Sequence, residues 1–341
     1  MKKVLHVSTE CFPAAKSGGL GDVVGALPIY QPQVDVKASV VIPYYDLPWF
    51  AQQKFKCKYK GVLRIDGDNI NFEVLRLTSK VLEYPLYAVS LPGLFDRPSI
   101  YLADHGEGFG DEPKRNIGFQ RAVVQWLTNK KQKFDIIHCH DHQSGLIPFF
   151  LKFVGEFERI RNIPTILTIH NAQYRGQFDW TDQYLLPEYD RNFNGWLDWD
   201  NCIHSLAAAV KLADRVTTVS PSYMDEITHS SGSLEYLFKS EATKCSGILN
   251  GIDTKAWDTR TDKFLDIPRK RQWAPFKSKN KELLCDKYNL NPEFPLISFI
   301  GRLAYEKGAD LLADAVSRVC HTNKKVSFIL LGSGDRQMEQ N

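Results

Sequence analysis

The sequence predicts an α/β protein made of two domains that are built on parallel sheets. Short apolar runs alternate with helical segments along the chain, which is the pattern of repeated βαβ units around parallel sheets. A glycine-rich loop follows the first apolar run, where α/β folds commonly bind ligands. A fresh strand–helix–strand pattern begins near residue 281, and 341 residues are enough for two domains.

Composition excludes several classes of protein. The net charge of +3 is too small for a broad nucleic-acid-binding surface, so no nucleic-acid partner is predicted. The sequence contains no apolar run long enough to cross a membrane, and the N-terminus lacks the apolar stretch of a signal peptide. The seven cysteines are scattered singly, which favours reduced thiols and a cytoplasmic location.

The first elements are a strand over residues 4–8 and a loop that leads into a helix over residues 22–30. The loop reads KSGGLGDVVG over residues 16–25. Its glycines let a ligand approach the backbone, and the helix N-terminus offers free N–H groups to an anion. Lys16 adds a positive charge, and Asp22 stands where an N-cap or a hydroxyl-binding carboxylate would stand. We therefore predict a pocket for a phosphate, a sugar or both.

Two other interpretations of this loop remain open. The spacing of Gly19, Gly21 and Gly25 fits a loose dinucleotide fingerprint, which would make the protein an NADP-dependent oxidoreductase. That fingerprint normally follows its strand at once and precedes an acidic residue at the end of the second strand, and neither feature is present here. The glycines could also serve only a tight turn.

The remaining elements follow from periodicity. Residues 55–90 alternate apolar and polar side chains around a turn signal, which predicts an antiparallel excursion from the sheet. Residues 172–204 are rich in aromatic side chains and form either a packed subdomain or a sugar-stacking surface. The other predicted strands span residues 36–42, 134–139, 165–169, 215–219, 245–249, 296–300 and 326–331, and the other helices span residues 116–129, 144–154, 206–213, 280–288 and 308–320.

Polar side chains follow three of the predicted strands. They stand at residues 138–142, at His170 and Asn171, and at Asn250 with the next glycine. Ligands of open α/β sheets bind outside the carboxyl ends of the strands, so these motifs should converge on one edge. The first motif, His-Cys-His-Asp-His, has metal-ligand residue types. Alternate strand residues point to opposite faces, however, and no second ligand cluster is evident, so no metal is predicted.

Several of these motifs together resemble one family. The opening LHVSTECFPAAKSGGLGDVVGALP closely resembles the N-terminus of bacterial glycogen synthases and plant starch synthases. The segment Thr-Ile-His-Asn at residues 168–171 and the segment GRLAYEKG at residues 301–308 are similar to two further motifs of that family, and LLGSGD at residues 330–335 resembles its next nucleotide-side loop. The resemblance implies a GT-B fold, with two Rossmann-like domains facing across a cleft, and a retaining glucosyltransferase.

The resemblance also implies roles for individual residues. The donor would be ADP-glucose or UDP-glucose, the acceptor an α-1,4-glucan, and no cofactor would be needed. Catalytic roles fall on Asp141, His170 and Lys16, of which the first two would line the transferred glucose. Lys16, Arg302 and Lys307 would hold the diphosphate, with Gly18 and Gly19 allowing close approach. The remaining implied substrate-binding residues are Asp22, Asn171, Asn250 and Gly332.

The resemblance divides the chain into three parts. Residues 1–255 would form the acceptor and catalytic domain, residues 256–280 a linker, and residues 281–341 the start of the nucleotide-sugar domain. The family's later C-terminal segment is absent from this sequence, which predicts an incomplete donor site. The alternative function is therefore a catalytically incomplete glucan-binding or regulatory module.

Overall fold

The computed structural model describes residues 1–103, 108–129 and 133–340. The chain divides into two compact units. The first comprises Met1–Leu102 and Gly108–Gly251, and the second holds Ile252–Asn341. Each unit is an α/β structure with its own sheet, as the sequence predicts.

Twelve strands belong to the first unit. They are β1 (Lys2–Val7), β2 (Val36–Pro43), β3 (Phe55–Ile65), β4 (Asp68–Leu77), β5 (Leu86–Ser90), β6 (Ile136–His140), β7 (Thr165–Ile169), β8 (Gln177–Phe178), β9 (Asp198–Trp199), β10 (Cys202–His204), β11 (Arg215–Thr218) and β12 (Cys245–Gly247). Nine of them form one sheet in the order β12-β11-β7-β6-β1-β2-β5-β4-β3. The short strands β8, β10 and β9 form a second sheet within the aromatic-rich segment.

The large sheet changes from parallel to antiparallel pairing towards one edge. Strands β12 to β5 pair in parallel, whereas β4 pairs antiparallel with both β5 and β3. The predicted antiparallel excursion is therefore confirmed. Strand β3 ends the described sheet, and it alternates half-buried residues with the exposed side chains of Lys56, Lys58 and Lys60. That alternation follows from the period of two along a strand.

Helices cover the large sheet and bury its apolar side chains. The first unit contains α1 (Gly19–Tyr30), α2 (Pro48–Ala51), α3 (Glu112–Leu127), α4 (Ile147–Phe153), α5 (Asn194–Leu197), α6 (Ser205–Leu212), α7 (Pro221–Ile227) and α8 (Glu235–Ser240). Trp126 of α3 is fully buried, as are Phe149 and Phe150 of α4. Each such side chain contributes roughly 2–3 kcal/mol on burial, so this layer holds the sheet edge rigid.

Helix α1 begins three residues earlier than predicted. Its N-cap is Gly18, and Asp22 lies in the first turn of the helix, so the prediction of Asp22 as a possible N-cap is wrong. Among the described residues no side chain caps the helix, and the N-cap glycine has none to offer. Gly25 is required by packing, since a Cβ there would lie 2.5 Å from the carbonyl oxygen of Phe12. The helix continues directly into a 3₁₀ turn over Gln31–Val34.

The second unit contains a two-stranded parallel sheet. Its elements are α9 (Trp273–Lys287), β13 (Leu296–Ile300), α10 (Leu312–Thr322), β14 (Ser327–Leu331) and α11 (Arg336–Gln340). The predicted strands of this unit are confirmed. The predicted start of the helix over residues 280–288 is wrong, because α9 already begins at Trp273. No helix in the described part of the chain is both long and apolar enough to span a membrane.

Candidate active site

Two polar residues follow neighbouring strands at the carboxyl edge of the large sheet. Asp141 comes directly after β6, and His170 comes directly after β7, with which β6 pairs in parallel. The carboxylate of Asp141 accepts the backbone N–H of His170 through Oδ1 at 2.6 Å. The same oxygen lies 3.4 Å from the backbone nitrogen of Asn171. The structure thus brings together three of the residues that the sequence predicted to converge.

The backbone of Asp141 is strained. Its φ is 54° and its ψ is −174°, a region of the Ramachandran plot that is essentially restricted to glycine. Such a conformation costs on the order of 1–3 kcal/mol and persists only where surrounding contacts enforce it. Here the Asp141 N–H donates to the carbonyl oxygen of Thr168 at 2.9 Å. The side chain is buried, with 8% exposed. Strain of this kind clusters at functional sites, which supports a functional role for Asp141.

The ring of His170 is uncharged at neutral pH. Burial lowers its pKa below the ordinary value, while the nearby carboxylates of Asp141 and Glu10 act in the opposite direction. Its Nε2 lies 3.0 Å from Nδ1 of His140, so the ring is held by a second histidine. A neutral, held imidazole can exchange hydrogen bonds with a sugar hydroxyl. It also adds no positive charge beside a reacting carbon that becomes positive.

Glu10 organises the glycine-rich loop, and sequence reasoning did not identify it. Its side chain is 3% exposed, and Oε2 accepts the backbone N–H groups of Ser17 at 2.6 Å and Gly18 at 3.0 Å. Oε1 accepts the hydroxyl of Tyr101 at 2.8 Å. Two backbone donors just before the first residue of α1 therefore bind an internal carboxylate. The signal available was that Glu10 is the only acidic residue before Asp22.

Lys16 and Asp22 form an ion pair at the mouth of the loop. Their Nζ and Oδ1 atoms are 2.7 Å apart, and both side chains are about half exposed. An exposed pair of this kind contributes roughly 0–1 kcal/mol, so Lys16 can exchange its partner at low cost. A Cβ added at Gly18 or Gly19 would meet no atom of the described residues within 4 Å, which leaves space beside both glycines in that part of the chain.

Three histidines at the same edge have metal-ligand residue types. Ligand atoms of His6, His138 and His140 all lie within 4.8 Å of one another. Their nitrogens are already engaged, however. His6 Nδ1 lies 3.0 Å from His140 Nε2, and His138 Nε2 lies 2.6 Å from the hydroxyl of Thr168. The arrangement is that of a hydrogen-bonded array, in which these ring nitrogens donate hydrogen bonds through N–H groups or accept them through lone pairs.

A cavity of about 280 Å³ lies within the first unit beside His142. His142 directly follows Asp141, and its Nε2 lies 3.2 Å from the Glu112 carboxylate, which lowers the pKa of Glu112. Among the described residues, His142 Nδ1 and Arg175 Nε are buried without a hydrogen-bond partner. Tyr174 also lines the cavity. A wall that combines the ring of Tyr174 with polar side chains such as Asn116 and Gln173 suits a sugar. Sequence reasoning did not identify Glu112 or Arg175.

The other predicted site residues stand apart from the Asp141–His170 pair along the chain. Asn250 is exposed after β12, and its backbone N–H donates to Val219 at 3.2 Å. Arg302, Lys307 and Gly332 belong to the second unit, where Arg302 and Lys307 are exposed. A Cβ at Gly332 would clash with the carbonyl oxygen of Gly301, so this glycine allows β13 and β14 to end close together.

The comparisons with known proteins agree on one family. Residues 3–240 match the model of the starch synthase catalytic domain. Glycogen synthase of Flavobacterium johnsoniae is 42% identical over 339 residues, which cover 99% of this chain and 70% of that protein. Glycogen synthase of Streptococcus pneumoniae strain D39 is 32% identical, with the same two coverages.

A solved structure agrees with the sequence relatives. The catalytic domain of starch synthase IV from Arabidopsis thaliana, bound to ADP and acarbose, superposes with a TM-score of 0.87 at 26% identity. The match covers 99% of this chain and 70% of that one. The predicted GT-B fold is thereby confirmed, and so is the predicted resemblance. The chain belongs to the glycogen synthase and starch synthase family of glucosyltransferases.

Proposed function

We propose that this protein transfers glucose from ADP-glucose to the nonreducing 4-hydroxyl of an α-1,4-glucan, with retention at the anomeric carbon. The observation that carries the proposal is the strained Asp141, whose carboxylate is fixed on the backbone of His170 at the edge of the sheet. The choice of ADP-glucose over UDP-glucose is supported by the likeness to the starch synthase structure that contains ADP.

Asp141 and His170 would act on the sugar that is transferred. Positive charge develops on the anomeric carbon as the bond to the diphosphate breaks, and a fixed carboxylate stabilises it without reorganising. The neutral ring of His170 avoids repelling that charge while it binds a hydroxyl of the sugar. Asn171, whose backbone is tied to the same carboxylate, would contact the same substrate.

Cationic side chains would bind the diphosphate. We propose that Lys16, Arg302 and Lys307 bind the diphosphate. Arginine can donate two N–H groups to one phosphate, and lysine adds a positive charge on a flexible side chain. The Glu10 carboxylate already uses the N–H groups of Ser17 and Gly18, so these two groups are not available to the diphosphate. Lys16 would leave Asp22 to reach the phosphate. The further assigned substrate contacts are Gly18, Gly19, Asp22, Asn250 and Gly332.

The cavity beside His142 would bind a sugar unit of the acceptor. It begins one residue after Asp141, and polar side chains such as Asn116 and Gln173 line it beside Tyr174, so that sugar hydroxyl groups would find hydrogen-bond partners. We expect Tyr174→Ala to raise the glucan KM several-fold and to leave the donor KM as it is, because one aromatic sugar contact is lost. Equal changes in both constants would contradict this assignment.

The division of labour along the chain is also a proposal. Residues 1–255 would form the acceptor and catalytic domain, and residues 281–341 would begin the nucleotide-sugar domain. A cytoplasmic location is supported by the seven cysteines, all of which are free thiols in the structure.

The test is a radiolabel transfer assay with purified protein, glycogen as acceptor, and ADP-glucose or UDP-glucose as donor. We expect incorporation from ADP-glucose that Arg302→Ala reduces at least tenfold, since a charge-assisted contact to phosphate contributes roughly 1.5–3 kcal/mol. Arg318→Ala is the matched control, because Arg318 is an exposed arginine on α10 of the same unit and pairs only with the neighbouring Asp314 among described residues.

Three outcomes separate the possibilities. Incorporation that depends on Arg302 supports the proposed reaction and identifies the donor. Incorporation that Arg302→Ala leaves unchanged contradicts the assigned donor residues. Absence of incorporation, together with co-sedimentation of the protein with glycogen, contradicts the proposed reaction and supports a glucan-binding module.

A further inference from the structure

Four side chains form a continuous hydrogen-bonded array that ends at His170. His6 of β1, His140 of β6 and His170 after β7 lie on three strands that are neighbours in the sheet. His6 Nδ1 is 3.0 Å from His140 Nε2, and His140 Nδ1 is 3.0 Å from His170 Nε2. At the far end, His6 Nε2 is 2.9 Å from the amide oxygen of Gln31. The strand spacing of about 4.8 Å places successive rings within reach of each other.

Gln31 determines which nitrogen donates and which accepts in each hydrogen bond of the array. An amide oxygen can only accept a hydrogen bond, so His6 carries its proton on Nε2. A neutral ring has one N–H, so His6 Nδ1 must accept the proton of His140 Nε2. By the same rule, His140 Nδ1 accepts the proton of His170 Nε2. The second nitrogen of His170, Nδ1, is then left without a proton.

Burial keeps the inner rings neutral. His6 and His140 are fully buried, and burial lowers the pKa of His6 to about 4 and the pKa of His140 well below its ordinary value. An added proton on either ring would place two donors against each other across a 3.0 Å contact. Each ring therefore carries one proton at neutral pH. The donor-to-acceptor order of the hydrogen bonds extends from Gln31 to His170 without any ring becoming charged.

His170 is the member that reaches the surface of the site. Its side chain is partly exposed, whereas His6 and His140 have no exposed area. In the described part of the chain, His170 Nδ1 makes no hydrogen bond, while Nε2 is held by His140. Its backbone N–H is held by Asp141 at 2.6 Å. Backbone and ring are thus fixed separately, and one ring nitrogen remains for a ligand.

We propose that Gln31, His6 and His140 are positioning residues that hold His170 in its neutral Nε2–H tautomer, so that Nδ1 accepts a hydrogen bond from a hydroxyl of the sugar. The proposal rests on the proposed contact between His170 and the transferred glucose. Gln31 bonds His6, and the path from there to His170 runs through the rings of His6 and His140. A purely structural role of the array would make no demand on which nitrogen of His170 carries the proton.

The tautomer can be read directly and independently of activity. We would label the histidines with ¹⁵N, assign His170 by comparison with His170→Ala, and record the two ring nitrogens of His170 by NMR at pH 7.5. We expect Nδ1 to show the shift of an unprotonated nitrogen in the parent protein. A protonated Nδ1 on a neutral ring would overturn the proposal.

Substitutions of Gln31 test whether this residue determines the tautomer of His170. Gln31→Glu still offers only acceptors and should keep the tautomer. Gln31→Met removes the hydrogen bond and should give a mixture of tautomers at His170. Gln31→Lys offers only donors and should shift the proton of His170 towards Nδ1. Gln33→Met is the matched control, because Gln33 is exposed in the same 3₁₀ turn, and it should change neither the tautomer nor the activity.

The activity of the same variants completes the test. We expect Gln31→Met to lower kcat roughly fivefold with little change in donor KM, the effect of one weakened hydrogen bond. Gln31→Glu should restore the parent kcat. If Gln31→Met leaves both the tautomer and kcat at the parent values, the positioning role is wrong. If the parent protein transfers no glucose, the proposed function fails, while the NMR result still decides whether the array sets the tautomer.

Discussion

His204 allows a quantitative test of the electrostatics of the core. Its Nδ1 accepts the backbone N–H of Ala207 at 3.1 Å and thereby caps α6. The side chain has no exposed area, and in the described structure its Nε2 has no hydrogen-bond partner. Burial, assisted by the positive charge of Arg175, lowers the pKa of His204 from 6.5 to about 4. The folded protein therefore resists protonation at a site that the unfolded chain protonates readily.

The consequence for stability follows from proton linkage. The unfolded chain takes up the proton first as the pH falls, so His204 costs stability below pH 6.5, and the loss is complete near pH 4. Between pH 7 and pH 5 the difference in proton binding amounts to about 2 kcal/mol of unfolding free energy. His204→Asn removes the titration, and its amide oxygen can still cap α6.

The assay is urea unfolding of the parent and His204→Asn at pH 7 and pH 5, followed by circular dichroism. The lost ring packing lowers the stability of the variant by a similar amount at both pH values. The difference in unfolding free energy between the parent and His204→Asn should therefore be about 2 kcal/mol smaller at pH 5 than at pH 7. His229→Asn, at an exposed position on the surface, is the control. A gap that stays constant from pH 7 to pH 5 would refute the argument.

Three further substitutions test the site and its support. Lys16→Ala should abolish most transfer and change the unfolding free energy by less than about 1 kcal/mol, because its pair with Asp22 is exposed; transfer near the parent rate would remove Lys16 from the site. Gly25→Ala should destabilise the protein by roughly 1–3 kcal/mol in thermal unfolding, since its Cβ would press on a backbone carbonyl. Gly195→Ala is its control, in open space, and an equal loss there would disprove the packing argument. Asp141→Asn can still accept the N–H of His170 but has no charge, so turnover should fall at least tenfold with Tm little changed; unchanged turnover would show that the charge has no role.

Parts of this site could be predicted because they depend on rules that are local along the chain. Asp141 and His170 each follow an apolar run directly, and the carboxyl ends of parallel strands share one edge, so their proximity follows from topology. Strands such as β7 and β13 match their predicted bounds because a buried parallel strand is a continuous apolar run between turn signals.

The remaining parts depend on contacts that no local pattern reveals. Glu10 binds Tyr101, which is 91 positions away, and Gln31 finds His6 across 25 positions. The start of α1 was predicted too late because Asp22 is a good capping residue, whereas the chain caps the helix at Gly18 without a side chain. The start of α9 lies inside a Trp- and Pro-rich segment whose composition resembles a linker.

Strand β3 has a consequence for how the protein behaves at high concentration. It is one of the two outermost strands of the nine in the described sheet, and an outer strand offers unpaired backbone groups to any second chain. Every other residue at its start is a lysine, so two copies that approached edge to edge would bring rows of like charge together. This repulsion disfavours self-association through β3. Replacing Lys56, Lys58 and Lys60 with threonine would keep the strand propensity and remove the protection, which would leave a protein that folds but aggregates.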